Sequence, residues 1–167
     1  KLSPMNISES FVRVALDLAG PLPASGEDGK FNYILILVDY ATKMIILEPL
    51  STKTAQECAD AIVRRWISQW GVMRILHGDR DSAWFSQLFK ELCRLLEISQ
   101  TFTTPYHPQS DGLVERSIRT ISQLLKVLVN EQRDNWSELL PFVEWAYRSS
   151  PNESTGYSPN MMVYAKE

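Results

Sequence analysis

Six consecutive apolar residues, Tyr33-Ile34-Leu35-Ile36-Leu37-Val38, set the tightest limit on what this chain can fold into. The run has the length of a strand and falls short of the roughly 10–12 residues of a core helix. A strand sends alternate side chains to opposite faces, so a run with no polar position must be covered on both. The chain therefore has to supply packing layers on each side of a sheet. Helical patterns further along can do so. Ala55, Cys58, Ala59, Ile62, Val63 and Trp66 recur at three- and four-residue steps within 54–70, the apolar stripe of an amphipathic helix. Thr54, with Glu57 three residues on, predicts its cap, and Gly71 its end. A second helix is expected over 85–96, with Phe89, Leu92, Cys93 and Leu96 inward. A third, over 112–130, carries Val114, Ile118, Ile121, Leu125 and Leu128 on one face, and a fourth is expected over 136–147.

Shorter stretches complete the sheet. A strand over 11–18 ends near Asp17 and is stopped by Gly20-Pro21-Leu22-Pro23. Ala24 to Lys30 is a polar connection of the hairpin kind. Met44 to Leu47 forms a third strand closed by Pro49; 74–77 and 99–103 give a fourth and a fifth. Thr104 to Asp111, with two prolines, reads as a loop, and 149–158 as a polar turn region. Three meandering strands followed by alternating helix and strand predict a mixed α/β domain. At 167 residues one domain is expected, over 11–165, after an irregular lead-in at 1–10. There is no internal repeat or low-complexity tract.

Composition narrows the function. No apolar run approaches the roughly 20 residues of a bilayer span, and Lys1 to Arg13 holds no leader-like apolar segment, so no membrane partner is expected. A net charge of −3 argues against nucleic-acid binding by bulk positive charge. It leaves room for an enzyme whose carboxylates are masked by metal ions. Cys58 and Cys93, lone and set in apolar helices, make no disulfide framework and suit a reducing compartment. His77 and His107, with no CxxC nearby, make no zinc module.

The acidic residues at strand ends are the candidates for chemistry. Asp17 closes the first strand, Asp79 follows the fourth after Gly78, and Glu115 sits one turn into the long helix. If the first and fourth strands are neighbours, Asp17 and Asp79 converge, and a helix packed nearby adds Glu115. Three close carboxylates repel one another unless cations neutralise them, and an all-oxygen set suits Mg²⁺ or Mn²⁺. On the same helix Glu115, Arg119, Ser122 and Lys126 form a second stripe, from which Arg119 and Lys126 could meet phosphates.

With 35 residues between Asp79 and Glu115, the three carboxylates resemble the aspartate, aspartate, 35-residue gap, glutamate signature of retroviral and retrotransposon integrases. Asp79-Arg80-Asp81 followed by Phe85 is similar to that family's "DR…F" segment. The block from Thr104-Pro105-Tyr106-His107-Pro108-Gln109 through Asp111-Gly112 to Val114-Glu115-Arg116 is close to its gypsy-type form. Ser154-Thr155-Gly156-Tyr157-Ser158-Pro159 resembles the segment after the last core helix. The resemblance covers about residues 11 to 165. It implies an RNase H-like fold, a five-stranded mixed sheet flanked by helices. It also implies two ions, Mg²⁺ or Mn²⁺, held by Asp17, Asp79 and Glu115, and a polynucleotidyl transferase that trims a DNA 3′ end and joins it to target DNA. Tyr106, Gln109, Ser110 and Arg116 would touch DNA beside Arg119 and Lys126. The partners implied are element ends, target DNA and further copies of the chain, and the place of action the nucleus, after transit through the cytoplasm. Leu113, Ile118, Gly78, Asn160 and Ala165 depart from the family's usual residues without removing an expected ligand. The alternative reading is a host-domesticated copy that binds DNA or protein with little catalysis.

The remaining features read as structure. Asp39 also follows an apolar strand, but it precedes a short connection and is expected in a turn. His77 reads as a satisfied strand histidine and the two cysteines as inert core residues. Trp66, Trp70, Trp136 and Trp145 lie on helices, as core or partner-facing surface, and Trp84 could pack near the site.

Overall fold

The computed structural model describes residues 9–78, 86–102, 108–131 and 134–166; within 108–131 it describes the side chains of Arg116, 118–127 and Val129. Five strands form one sheet in the order β3-β2-β1-β4-β5. β1 (Arg13–Ala19), β2 (Tyr33–Asp39) and β3 (Ile45–Leu50) make the antiparallel meander. β4 (Ile75–Gly78) pairs parallel with β1, and β5 (Ser99–Phe102) parallel with β4.

The apolar run behaves as its composition demands: Ile34 to Val38 are each 0% exposed. Leu35 and Leu37 join Val14, Leu16, Ile46 and Leu76 on one face. That face lies under α1 (Ala55–Ile62), with Cys58 and Ile62 inward, and α3 (Gln87–Leu95), with Phe89 and Cys93 inward. Ile34, Ile36 and Val38 join Ala15, Ile45 and Leu47 on the other. There α4 (Pro108–Glu131) contributes Ile121, Leu125 and Val129, and α5 (Trp136–Arg148) contributes Trp136, Leu140 and Tyr147.

Several boundaries differ from expectation for identifiable reasons. The helix expected over 54–70 is α1, then a π-helical turn at Val63–Ile67, then the last turn α2 (Ser68–Trp70). Thr54 caps it through its hydroxyl, as expected. The Glu57 carboxylate reaches past Thr54 to the amides of Ser51 and Thr52 (2.7 Å each) instead of closing a reciprocal box. The two cysteines are buried, and burial pushes the Cys93 thiol up to about 11. Trp66 and Trp136 are core, whereas Trp145 is 67% exposed; Trp84 lies outside the described residues. A short α6 (Pro159–Tyr164), capped by the Ser158 hydroxyl on Met161 N–H, is too brief to show a periodic stripe.

Pro49 does not close β3 but lies inside it. The carbonyls of Met44 and Leu50 accept from Asp39 and Asn32, so even positions of β3 face β2. Ile45, Leu47 and Pro49 therefore turn their main-chain groups to the open edge, where a proline forfeits no ladder bond. α5 covers the rest of that edge. Glu144 accepts from the Leu47 N–H, and Arg148 donates to the Ile45 carbonyl, its Nε at 3.0 Å. Glu144 in turn pairs with Arg148 (2.8 Å) and Arg65 (3.2 Å). Arg65 Nε lies 2.9 Å from Glu48, an ionic contact off the line of a hydrogen bond. An edge strand with bare N–H and C=O groups invites pairing with another chain, and these side chains occupy it.

The connection after β1 is fastened to the start of α5. Trp136 Nε1 donates to the Pro23 carbonyl (2.7 Å) and Gly26 N–H to that of Asp134 (3.0 Å). Asn135 holds the N-cap position without making a cap bond; the Ser25 hydroxyl accepts from Ser137 N–H (3.0 Å) in its place. Gly26 has φ 81°, and a Cβ there would fall 2.8 Å from the Phe31 ring, so the close approach requires glycine.

Candidate active site

Parallel pairing of β1 with β4 sets Leu16 beside Gly78, the last residue of β4. Asp17 is the next residue of β1. It shares a sheet face with Ala15 and Ala19, since side chains alternate and both alanines belong to the α4–α5 side. It is half-buried, and its Oδ1 accepts the Leu18 N–H at 2.9 Å. Thus the first expected ligand stands near the carboxyl ends of β1 and β4, facing the layer that holds α4. Ala15 and Ala19 flank it on that face with small side chains.

Asp79 follows Gly78 in the chain and lies outside the described residues, as does Tyr106. Glu115 is on α4, which packs against β1 and β2, but its side chain is outside the described set. Among the described residues no three His, Cys, Asp or Glu side chains gather as a metal site. The chemistry of the donor set still fits a hard divalent cation: three carboxylates, with no thiolate or imidazole among the expected ligands.

α4 starts at Pro108, so Gln109 and Ser110 are in its first turn and not on a loop. A proline at the first helical position loses no bond that the helix needs and arrives with a suitable φ; it starts this helix instead of interrupting the loop. The side chains of Gln109 and Ser110 are outside the described set. Arg116, Arg119 and Lys126 are exposed, Ser122 is half-buried, and Ile121 and Leu125 are buried. Arg119 and Lys126 are thus two turns apart, about 10 Å along the axis, on the face turned from the core.

Asp39 supplies the contrast that sorts the acidic strand ends. It pairs in register with Val14, three residue pairs from Asp17, or about 10 Å along the strand. It is 0% exposed and accepts from Phe11 N–H (2.9 Å), Thr42 N–H (2.9 Å) and the Thr42 hydroxyl (2.8 Å). Burial raises its pKa, opposed by those hydrogen bonds and by Lys43. With its oxygens so engaged, Asp39 builds the β2–β3 turn, as its place in the sequence predicts.

His77 is satisfied as expected: Nδ1 lies 2.8 Å from the Thr101 hydroxyl on β5. The ring of Tyr40 meets it edge-on, centroids 6.1 Å apart, and the Arg13 guanidinium lies 4.1 Å from the centre of the Tyr40 ring. Neither Thr101 nor Tyr40 stands out in the sequence, because their partners come from strands 24 and 37 residues away.

The integrase core domain family model matches residues 15–108. Across 98% of the chain there is 29% identity to the retrovirus-related Pol polyprotein from transposon 412 of Drosophila melanogaster. Identity to the Pro-Pol polyprotein of simian foamy virus type 3 (strain LK3) is 31%, also over 98% of the chain. The chain spans only 13% and 14% of these two polyproteins. The crystal structure of the catalytic core domain of BIV integrase superposes with a TM-score of 0.69 at 20% identity, over 93% of this chain and 95% of that one. A cryo-EM structure of the simian T-cell lymphotropic virus intasome with the PP2A regulatory subunit B56 gamma gives 0.72 at 19% identity, over 90% and 53%. At these identities the likeness concerns the fold, an RNase H-like five-stranded mixed sheet flanked by helices. The family model accounts for more than half of the sequence, and the chain belongs to the integrase core domain family.

Proposed function

We propose that this domain carries out metal-dependent phosphoryl transfer on DNA, trimming a 3′ end and joining it to target DNA. The observation that carries the reading is the pairing of Leu16 with Gly78, which leaves Asp17 and Asp79 as the next residues after a shared register position. α4, bearing Glu115, packs on Asp17's side of the sheet. Asp17, Asp79 and Glu115 would hold two divalent ions, Mg²⁺ or Mn²⁺. Such ions, when bound, offset the mutual repulsion of the carboxylates and the charge developing at phosphorus.

The chain's own residues do the rest. The strand end fixes Asp17 with its Oδ1 tied to the next amide, so one carboxylate oxygen is oriented before any ligand arrives. Arg119 and Lys126 would hold the DNA backbone by phosphate contacts, which position the duplex without reading its sequence. Gln109, Ser110 and Arg116, in the first turns of the same helix, would engage the DNA end together with Tyr106. Integrase relatives are parts of long polyproteins and one solved neighbour is an intasome; assembly of several copies around DNA, in the nucleus, is proposed on that footing.

Cleavage and joining of branched DNA with Mg²⁺ or Mn²⁺ tests the reading, with Asp17→Asn and Asp79→Asn as controls. Metal-dependent products that vanish in both variants support it. DNA binding indifferent to metal and to both substitutions, without products, would instead favour the domesticated binding module.

A further inference from the structure

We infer that His77 is a positioning residue for the candidate site, acting through the end of β4. The inference rests on the phosphoryl-transfer reading above. β4 is four residues long, Ile75–Gly78, and its last residue has no side chain. His77 is therefore the last side chain that can anchor the strand before Asp79. It is only 8% exposed and stands in register between Ala15 of β1 and Thr101 of β5. Its ring lies on the sheet face of Ala15 and Asp17, two residue pairs before the level of Asp17.

Two of its contacts lead away from β4. The 2.8 Å bond to the Thr101 hydroxyl crosses to β5. A hydroxyl both donates and accepts, so the bond forms with either imidazole tautomer. The Tyr40 ring presses edge-on from the end of β2, and Arg13 of β1 lies over Tyr40 in turn. A polar row thus runs obliquely from β1 to β5 on the sheet face that carries Asp17. A purely apolar residue at position 77 would pack in the same volume but would not fix the β4–β5 register through a directed bond. The register matters because a displacement of about 1 Å at a reacting group can cost on the order of 100-fold in rate.

The variants Thr101→Val, His77→Ala and His77→Asn separate positioning from mere support. Valine keeps the shape of threonine and deletes the hydroxyl, while asparagine keeps a polar group near the place of Nδ1. Joining activity on branched DNA is measured against Mg²⁺ concentration, with Mg²⁺ binding by calorimetry and thermal unfolding alongside. Thr101→Val and His77→Ala should each raise the Mg²⁺ concentration for half-maximal activity about 10-fold, and His77→Asn should restore most of the loss. If His77→Ala fails to fold, Thr101→Val and His77→Asn still decide. Folded Thr101→Val protein with wild-type Mg²⁺ dependence would overturn the inference while leaving the reaction intact. Equal loss in His77→Asn and Thr101→Val would overturn it too, since rescue is its signature. A wild-type domain that neither binds Mg²⁺ nor joins DNA would bring down the reaction and this inference together.

Discussion

Ser25→Ala should loosen α5, although the two are 112 residues apart in sequence. Ser25 is 0% exposed, and its hydroxyl makes two contacts: it accepts from Ser137 N–H at 3.0 Å and lies 3.0 Å from the Ser137 hydroxyl. The first is a helix cap supplied by tertiary structure. Loss of a capping side chain costs about 0.5–2 kcal/mol, and leaving the Ser137 hydroxyl buried and unpaired adds about 1 kcal/mol. The total is about 2 kcal/mol. With an unfolding entropy of about 2.1 cal/mol/K per residue, one kcal/mol corresponds to roughly 3 °C in a chain of 167 residues, so Tm should fall by about 6 °C. Ser137→Ala deletes the hydroxyl pair but keeps the N–H that Ser25 caps, and should lose less, about 1 kcal/mol. Differential scanning calorimetry of both variants and of the double variant isolates the cap. If Ser25→Ala is no more damaging than Ser137→Ala, the Ser25 hydroxyl does not cap α5, and the reasoning fails.

Three other outcomes follow from the same geometry. Arg148→Met strips the Ile45 carbonyl of its donor and leaves Glu144 with Arg65 as its remaining cation; denaturant unfolding should show a loss of about 3 kcal/mol, and light scattering should show association through the opened β3 edge. Asp39 has its pKa raised above the ordinary 3.8 by burial, so its contribution to stability is fully present below that value and is lost as pH rises through the raised one. Asp39→Asn should therefore remove part of the decline in stability with rising pH from about pH 4 upward, read as a flatter slope in urea unfolding. Arg119→Ala and Lys126→Ala should each weaken binding to any DNA sequence and lower the salt dependence of log K by about one; unchanged salt slopes in fluorescence anisotropy would remove these residues from the DNA path.

What the sequence discloses and what it conceals divide along physical lines. The six-residue apolar run announces a doubly covered strand because each of its side chains must find a neighbour, whichever chain segment supplies it. The stripe of Ile121 and Leu125 does the same for α4. Asp17 and Asp39 show the limit of that logic. Both follow an apolar strand, and only the length of the connection after Asp39 separates them in sequence. In space they part because β2 runs against β1, which carries the ends of these two strands to opposite rims. Pro49 and Pro108 mislead for a related reason: a proline is disruptive only where its missing N–H would have been used, and neither the open edge of β3 nor the first position of α4 uses one. Contacts such as Ser25 with Ser137, Glu144 with Leu47, and His77 with Thr101 leave no trace in local pattern, because serine, glutamate and histidine are equally at home on a solvated surface. Their burial is decided by the partner that arrives. It follows that the candidate site is half legible in sequence. The spacing of the carboxylates can be read along the chain, whereas the groups that hold their strands in register come from elsewhere in the sheet, and there the proposed Mg²⁺ dependence can be tuned without touching a ligand.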